Sequence, residues 1–115
     1  MKGRISMLLS EVIERLGLKQ VTTEIDDIRE VTGCYIGDLL SWVMSKAQAG
    51  NVWITVQTNI NILAVATLTD VSCIVVPENI VVDEPTVKKA EIQGINILSS
   101  SKTSYELACE LAELI

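Results

Sequence analysis

Histidine is absent from the 115 residues, phenylalanine is absent too, and proline occurs only twice. The missing histidine removes the commonest general base and the commonest transition-metal ligand together. No Ser-His-Asp or Cys-His site can be assembled within one such chain. Neither GxxxxGK[ST] nor GxGxxG occurs, so the familiar glycine-rich phosphate loops are excluded. There is no CxxC. Cys34, Cys73 and Cys109 are far apart, odd in number and set among apolar residues. They read as three buried, reduced thiols of a cytoplasmic protein rather than as a disulfide framework. No run of Lys or Arg is present, and the net charge of -6 repels a polyanion, so no nucleic-acid partner is expected. No apolar run reaches the roughly 18 residues that a membrane span needs. Met1-Lys2-Gly3-Arg4 leads into an amphipathic stretch broken by Glu11, Glu14 and Arg15, which is not the pattern of a signal peptide. No membrane contact is expected.

What is plentiful is apolar content, at 49% of residues against 21% charged. A chain of this length makes one domain, 1–115, with much surface per unit volume. Its excess apolar side chains call for a sheet covered on both faces and for a self-association surface. A homodimer is the expectation.

Periodicity supplies the elements. Ile5, Leu8, Leu9, Val12, Ile13 and Leu16 fall on one helical face, predicting a first helix over 6–16 that stops at Gly17. Lys19 to Thr23 reads as a short strand, and Arg29 to Tyr35 as an extended segment interrupted by Gly33. A second helix follows Gly37, with Asp38 as its N-cap and Ile36, Leu39, Leu40, Val43, Met44 and Ala47 on its apolar face. Val52 to Val56 is a strand, and Asn59 or Asn61 caps a third helix ending at Leu68. That helix is apolar nearly all round, so something must cover more than one of its sides: helix 2 and the sheet, or a partner chain. Ser72 to Val76 is a strand, Val81-Val82 a brief extended piece, and Glu84-Pro85 opens a fourth helix that Gly94 closes. Ile95 to Leu98 is the last strand, and Thr103-Ser104-Tyr105-Glu106 forms a capping box for a last helix. Alternating strands and helices with continuous apolar strands predict an α/β fold, a three-layer α/β/α domain with a mainly parallel central sheet. Trp42 and Trp53 read as core or interface residues.

Ligands of open parallel sheets sit beyond the carboxyl ends of strands. Three segments qualify. Gln57, Thr58, Asn59 and Asn61 place amides and a hydroxyl at a strand-to-helix junction, a setting for a phosphate or carboxylate and also for helix capping. Pro77-Glu78-Asn79 and Ser99-Ser100-Ser101-Lys102-Thr103 follow the next two strands. The candidate ligand-binding residues are therefore Gln57, Thr58, Asn59, Asn61, Glu78, Ser99, Ser101 and Asp38. Asp38 reads as a cap first and as a ligand contact second. No catalytic residue, metal site or cofactor is predicted.

Trp53 to Ala66 (Trp-Ile-Thr-Val-Gln-Thr-Asn-Ile-Asn-Ile-Leu-Ala-Val-Ala), with Gly37-Asp38-Leu39-Leu40-Ser41 before it and Val87 to Leu98 after it, resembles the DRTGG domain in its short stand-alone form. The resemblance runs from about residue 5 to the C-terminus. It implies a fold akin to the N-terminal domain of HPr kinase. It also implies the regulatory or structural role such domains have inside phosphotransacetylases and CBS-containing pyrophosphatases, where catalysis belongs to the neighbouring domains. The name-giving Asp-Arg-Thr-Gly-Gly string is missing. Gln57-Thr58-Asn59 stands where the family commonly has Gly-Asp-Arg, and Val76-Pro77-Glu78 where Thr-Gly-Gly is common. The expected function is a non-catalytic regulatory or sensory module, binding a small anionic ligand (a nucleotide or phosphate), a regulatory protein partner, or both. The rival readings are a purely structural interaction domain and a small kinase- or transferase-type enzyme subunit.

Overall fold

A computed structural model describes residues 6–115. Ile5, expected on the first helical face, and the Met1-Arg4 segment lie outside the described residues. Seven strands and five helices follow one another there. They are β1 (Met7–Leu8), α1 (Leu9–Leu16), β2 (Lys19–Gln20), β3 (Glu30–Val31), β4 (Gly33–Ile36), α2 (Leu40–Lys46), β5 (Asn51–Ile54), α3 (Asn61–Thr69), β6 (Cys73–Val76), α4 (Glu84–Gln93), β7 (Ile97–Ser99) and α5 (Ser104–Ala112).

The main sheet has the order β2-β7-β6-β5-β4, and β1 pairs separately with β3. Strands β4 to β7 run parallel, and β2 adds an antiparallel edge through Lys19 opposite Ser99. From β4 to β7 every connection steps one strand in the same direction, so right-handed crossovers must put α2, α3 and α4 on one face. The two cores reflect that rule. On one side Trp53, Ile74, Val76 and Ile97 meet Val43 of α2, Ile62 and Ala66 of α3, and Ala90 of α4. On the other, Val52, Ile54, Cys73, Val75 and Leu98 meet Leu9, Val12 and Leu16 of α1 and Leu107 and Leu111 of α5. Both faces of the sheet are covered, which is why its strands read as unbroken apolar runs. The fold is the expected three-layer α/β/α sandwich.

Local signals hold at several ends. Gly17 and Gly94 close α1 and α4 in the left-handed region, at φ 64° and 71°. Thr103 and Glu106 form the reciprocal capping box of α5, with the Glu106 N–H donating to Thr103 Oγ1 at 3.1 Å and the Thr103 N–H to Glu106 Oε1 at 3.0 Å.

Other expectations need correction. The first helix begins at Leu9, because Met7 and Leu8 pair with Val31 and Glu30 as a strand. Asp38 does not cap α2: the N-cap is Leu39, and the Asp38 carboxylate turns to the neighbouring strand end. Of the predicted α2 face, only Val43 is fully buried; Ile36, Leu39 and Met44 are exposed. Ser45 and Lys46 at the end of α2 are solvated, and α2 stops before Gly50. That glycine (φ 82°) lies so close to Thr32 that a Cβ would stand 2.6 Å from its Oγ1. Val81-Val82 forms no strand.

Candidate functional site

The segment after β5 is a hydrogen-bonded loop centred on Asp38. Its carboxylate accepts from Thr55 Oγ1 and from the Val56 N–H, both at 2.8 Å. Gln57 Nε2 donates to the Asp38 carbonyl at 2.9 Å, and the Gln57 N–H donates to Thr55 Oγ1 at 3.1 Å. Asn59 Nδ2 donates to Gln57 Oε1 at 3.0 Å, and Asn59 Oδ1 accepts the N–H of Asn61 at 2.9 Å. Neither Asn59 nor Asn61 is the expected cap: the N-cap of α3 is Ile60, Asn61 is the first helical residue, and Asn59 accepts that residue's N–H from one position before the cap. Thr58 Oγ1 donates to Asp83 at 3.1 Å, and Thr86 Oγ1 donates to the Thr58 carbonyl at 2.8 Å. These bonds tie the β4, β5 and β6 ends together at one edge of the sheet.

Four of the predicted residues, Asp38, Gln57, Asn59 and Asn61, therefore share one network, while Thr58 is bonded separately to Asp83 and Thr86. Among the described residues its side-chain bonds do not extend to Glu78, Ser99 or Ser101. Glu78 and Ser101 lie in a second pair of loops, joined through the backbone, and Ser99 ends β7 before the second of them. Glu78 and Asn79 both have left-handed φ, 60° and 57°, and their N–H groups donate to the carbonyls of Lys102 and Ser100 at 2.9 Å. Ser99 sits on the strand opposite Lys19, and Ser101 is exposed. Lys102, the cation of that loop, is drawn away to Glu110 (2.6 Å) and the Leu16 carbonyl (3.3 Å). The edge carries the carboxylates of Asp38, Glu78 and Asp83. Anything bound there must be met by N–H, amide and hydroxyl dipoles.

Sequence reasoning passed over the opposite, amino edge. A polar cavity of about 180 Å³ lies there, lined by Arg29, Thr67, Asp70, Ser72, Gln93 and Asn96 among others. Arg29 Nη2 donates to the Asp70 carbonyl at 3.1 Å and its carboxylate at 3.0 Å, serving the C-terminal end of α3. Asn96 is buried, with its amide donating to the carbonyls of Asp26 (3.2 Å) and Ser72 (3.0 Å) and accepting the Asp26 N–H (2.9 Å). Ser72 Oγ in turn donates to the Glu30 carbonyl. The available signal was a lone amide inside the apolar run Ile95 to Leu98.

The cysteines divide. Cys73 is buried, and burial pushes its thiol well up, the nearby Cys34 raising it further and Arg29 opposing. Cys34 and Cys109 are exposed, contrary to the expectation of three buried thiols, because β4 is an edge strand and α5 an outer helix. The Cys34 side chain nevertheless lines an apolar crevice of about 250 Å³ with Ala108, Leu111, Ala112 and Ile115, and desolvation pushes its thiol up to about 11. Thiolate is the reactive form. With iodoacetamide at pH 8, mass spectrometry should find Cys109 alkylated first, Cys34 much more slowly and Cys73 only after unfolding. Equal rates at Cys34 and Cys109 would contradict the crevice. Among the described residues no cluster of three or more His, Cys, Asp or Glu is placed to hold a metal ion, and no helix is long and apolar enough to cross a membrane.

No protein-family model matches the chain, and no curated protein matches it either. Among solved structures, it is similar to the crystal structure of the CBS and DRTGG domains of the regulatory region of a Clostridium perfringens pyrophosphatase, complexed with its activator diadenosine tetraphosphate. The two share 12% identity at a TM-score of 0.72, over 92% of this chain and 46% of that one. The chain thus spans less than half the length of that structure. The likeness establishes the fold: this is an α/β/α domain of the kind found in that regulatory region.

Proposed function

We propose that the chain is a non-catalytic regulatory module that takes a small anionic ligand, a nucleotide or phosphate compound, at the carboxyl edge of its sheet. The observation that carries this reading is the loop Gln57-Thr58-Asn59-Asn61, fixed by Asp38 at the start of α3. Its amides and hydroxyls are held in place before any ligand arrives, which lowers the ordering cost of binding. Glu78, Ser99 and Ser101 border the same edge from the next two loops. The pyrophosphatase region of the same fold is complexed with a dinucleotide activator, which supports a nucleotide over a simple anion. With Lys102 paired to Glu110, recognition falls to the loop's dipoles and to base and sugar groups, and affinity is modest.

Thermal unfolding tests the proposal with diadenosine tetraphosphate, ATP and inorganic phosphate as probes. A ligand at about 100 times its Kd adds ~2.7 kcal/mol to the native state, a rise in Tm of roughly 10 °C or more for a domain of this size. The nucleotides should give it, and the double variant Thr58→Ala, Asn59→Ala should lose it while keeping a native circular dichroism spectrum. An unchanged Tm with every probe, or an undiminished shift in the double variant, would remove the ligand from this edge.

A further inference from the structure

The two helix layers differ in what they show to solvent. The α1/α5 layer presents Glu14, Arg15, Glu106 and Glu113, with Tyr105 as its large exposed aromatic. The α2/α3/α4 layer carries charges on α4 and at the end of α2 (Lys46, Glu84, Lys88, Lys89, Glu91) and more exposed apolar side chains: Leu39 at 67% exposure, Trp42 at 56%, Leu68 at 70% and Ile92 at 86%, together with Met44 and Ile60. α3 is the middle helix of that layer and holds no charged residue from Asn61 to Thr69. Its inner face, Ile62, Leu63, Val65 and Ala66, is buried on the sheet. Its outer face, Ile60, Ala64 and Leu68, is open, and a groove of about 640 Å³ runs beside it toward Lys89 and Gln93 of α4.

We infer that this outer face of α3 is the contact between two copies of the chain, packed antiparallel about a two-fold axis at Ala64. The reading rests on the expected dimer but not on the ligand proposed above. Three observations select a second copy as the occupant. The first is symmetry. A two-fold interface must be complementary to itself. Reversing α3 about Ala64 sets Ile60 opposite Leu68 and Asn61 opposite Thr67, apolar against apolar and polar against polar. Ala64 at the crossing lets the helix axes approach closely, as small residues do at helix contacts. The second is charge. Two molecules of net charge -6 repel, and this helix offers an approach free of carboxylates, with antiparallel helix dipoles opposed. The third is area. Ile60 and Leu68 on α3 are joined on the same layer by exposed Leu39, Trp42, Met44 and Ile92 of the flanking helices, apolar surface that can extend the contact toward the ~800 Å² each partner gives to a standard interface.

Light scattering at tens of micromolar protein should give twice the monomer mass. Ala64→Glu and Leu68→Glu each place a carboxylate in the contact at an exposed position, so both variants should fold and run as monomers. Tyr105→Glu, an equally exposed change on the opposite layer, should stay dimeric. As a second measurement, Ala64→Cys should form a reducible covalent dimer on mild oxidation far faster than the native chain does. A monomeric native chain would overturn the inference. So would a dimer that survives both glutamate variants, or a foreign apolar helix bound to this face of a monomer. Nucleotide-induced thermal shifts measured on the Ala64→Glu variant keep the two proposals apart: a retained shift in a chain whose dimer lies elsewhere would sink only the interface.

Discussion

Trp53→Ala is expected to cost about 3–5 kcal/mol of stability, a large part of the ~5–15 kcal/mol that holds a domain of this kind together. Trp53 is completely buried in the centre of the α2/α3 core. It also makes a polar tie, since its indole N–H donates to the Gly37 carbonyl at 2.9 Å. That bond fixes the turn leading to Asp38, and Asp38 fixes the β5 loop. The variant should therefore lower the urea midpoint sharply and loosen the carboxyl edge together. Trp53→Phe keeps most of the volume but leaves the Gly37 carbonyl unpaired, at a cost of about 1–3 kcal/mol. An alanine variant as stable as the phenylalanine variant would show that the surrounding core collapses into the space.

Asn96→Leu should also destabilise the fold, despite matching the shape of the side chain. The amide satisfies three groups, the N–H and carbonyl of Asp26 and the carbonyl of Ser72. Ser72 is buried, so its carbonyl left without a partner costs about 1–3 kcal/mol, while the two groups of the exposed Asp26 can turn to water at a smaller cost. The segment around Asp26 would lose its attachment to the sheet, with faster hydrogen exchange there. Asn96→Asp adds a test of sign. A buried carboxylate facing two carbonyl oxygens is held in its neutral form, so its folded pKa rises above the unfolded one. The stability of that variant should be highest below the ordinary carboxylate range and should fall as pH rises through it. A variant that gains stability with pH would show that Asn96 does not face those carbonyls.

Much of the fold could be read from residue order. Three of the four parallel strands, β5 to β7, came from unbroken apolar runs, β4 from an extended segment interrupted by Gly33, and helix ends from Gly17, Gly94 and the Thr103-Glu106 pair. The carboxyl edge was legible as a place, since Gln57 to Asn61 had to follow a strand and precede a helix. Its internal wiring was not. Asp38 has the composition of a cap, and only the parallel pairing of β4 with β5 brings it beside Thr55 and Val56. The one-directional winding was equally hidden. Apolar runs do not report strand order, and without a reversal between β4 and β7 the sheet has no crevice of the kind that opens at a switch point. Two thiols and much of α2 were misplaced inward for one reason: periodicity finds an apolar face but cannot tell a core from an open outer surface.

The antiparallel edge strand has a kinetic consequence. Each step from β4 to β7 joins strands separated by a single helix, so the parallel part can assemble in chain order, one short closure at a time. Lys19 opposite Ser99 is different, since it closes the chain from residue 19 to residue 99. Loop-closure entropy grows with length, and long-range pairings slow folding. β2 is two exposed residues long, and the attachment that offsets that closure comes from Val21 and Thr22 beside it, which bond to Ile97. β2 is therefore expected to join the sheet after β4 to β7, a later protection of Lys19 and Gln20 in pulsed hydrogen exchange being the check. Until it joins, the outer edge of β7 is open as a template for another strand.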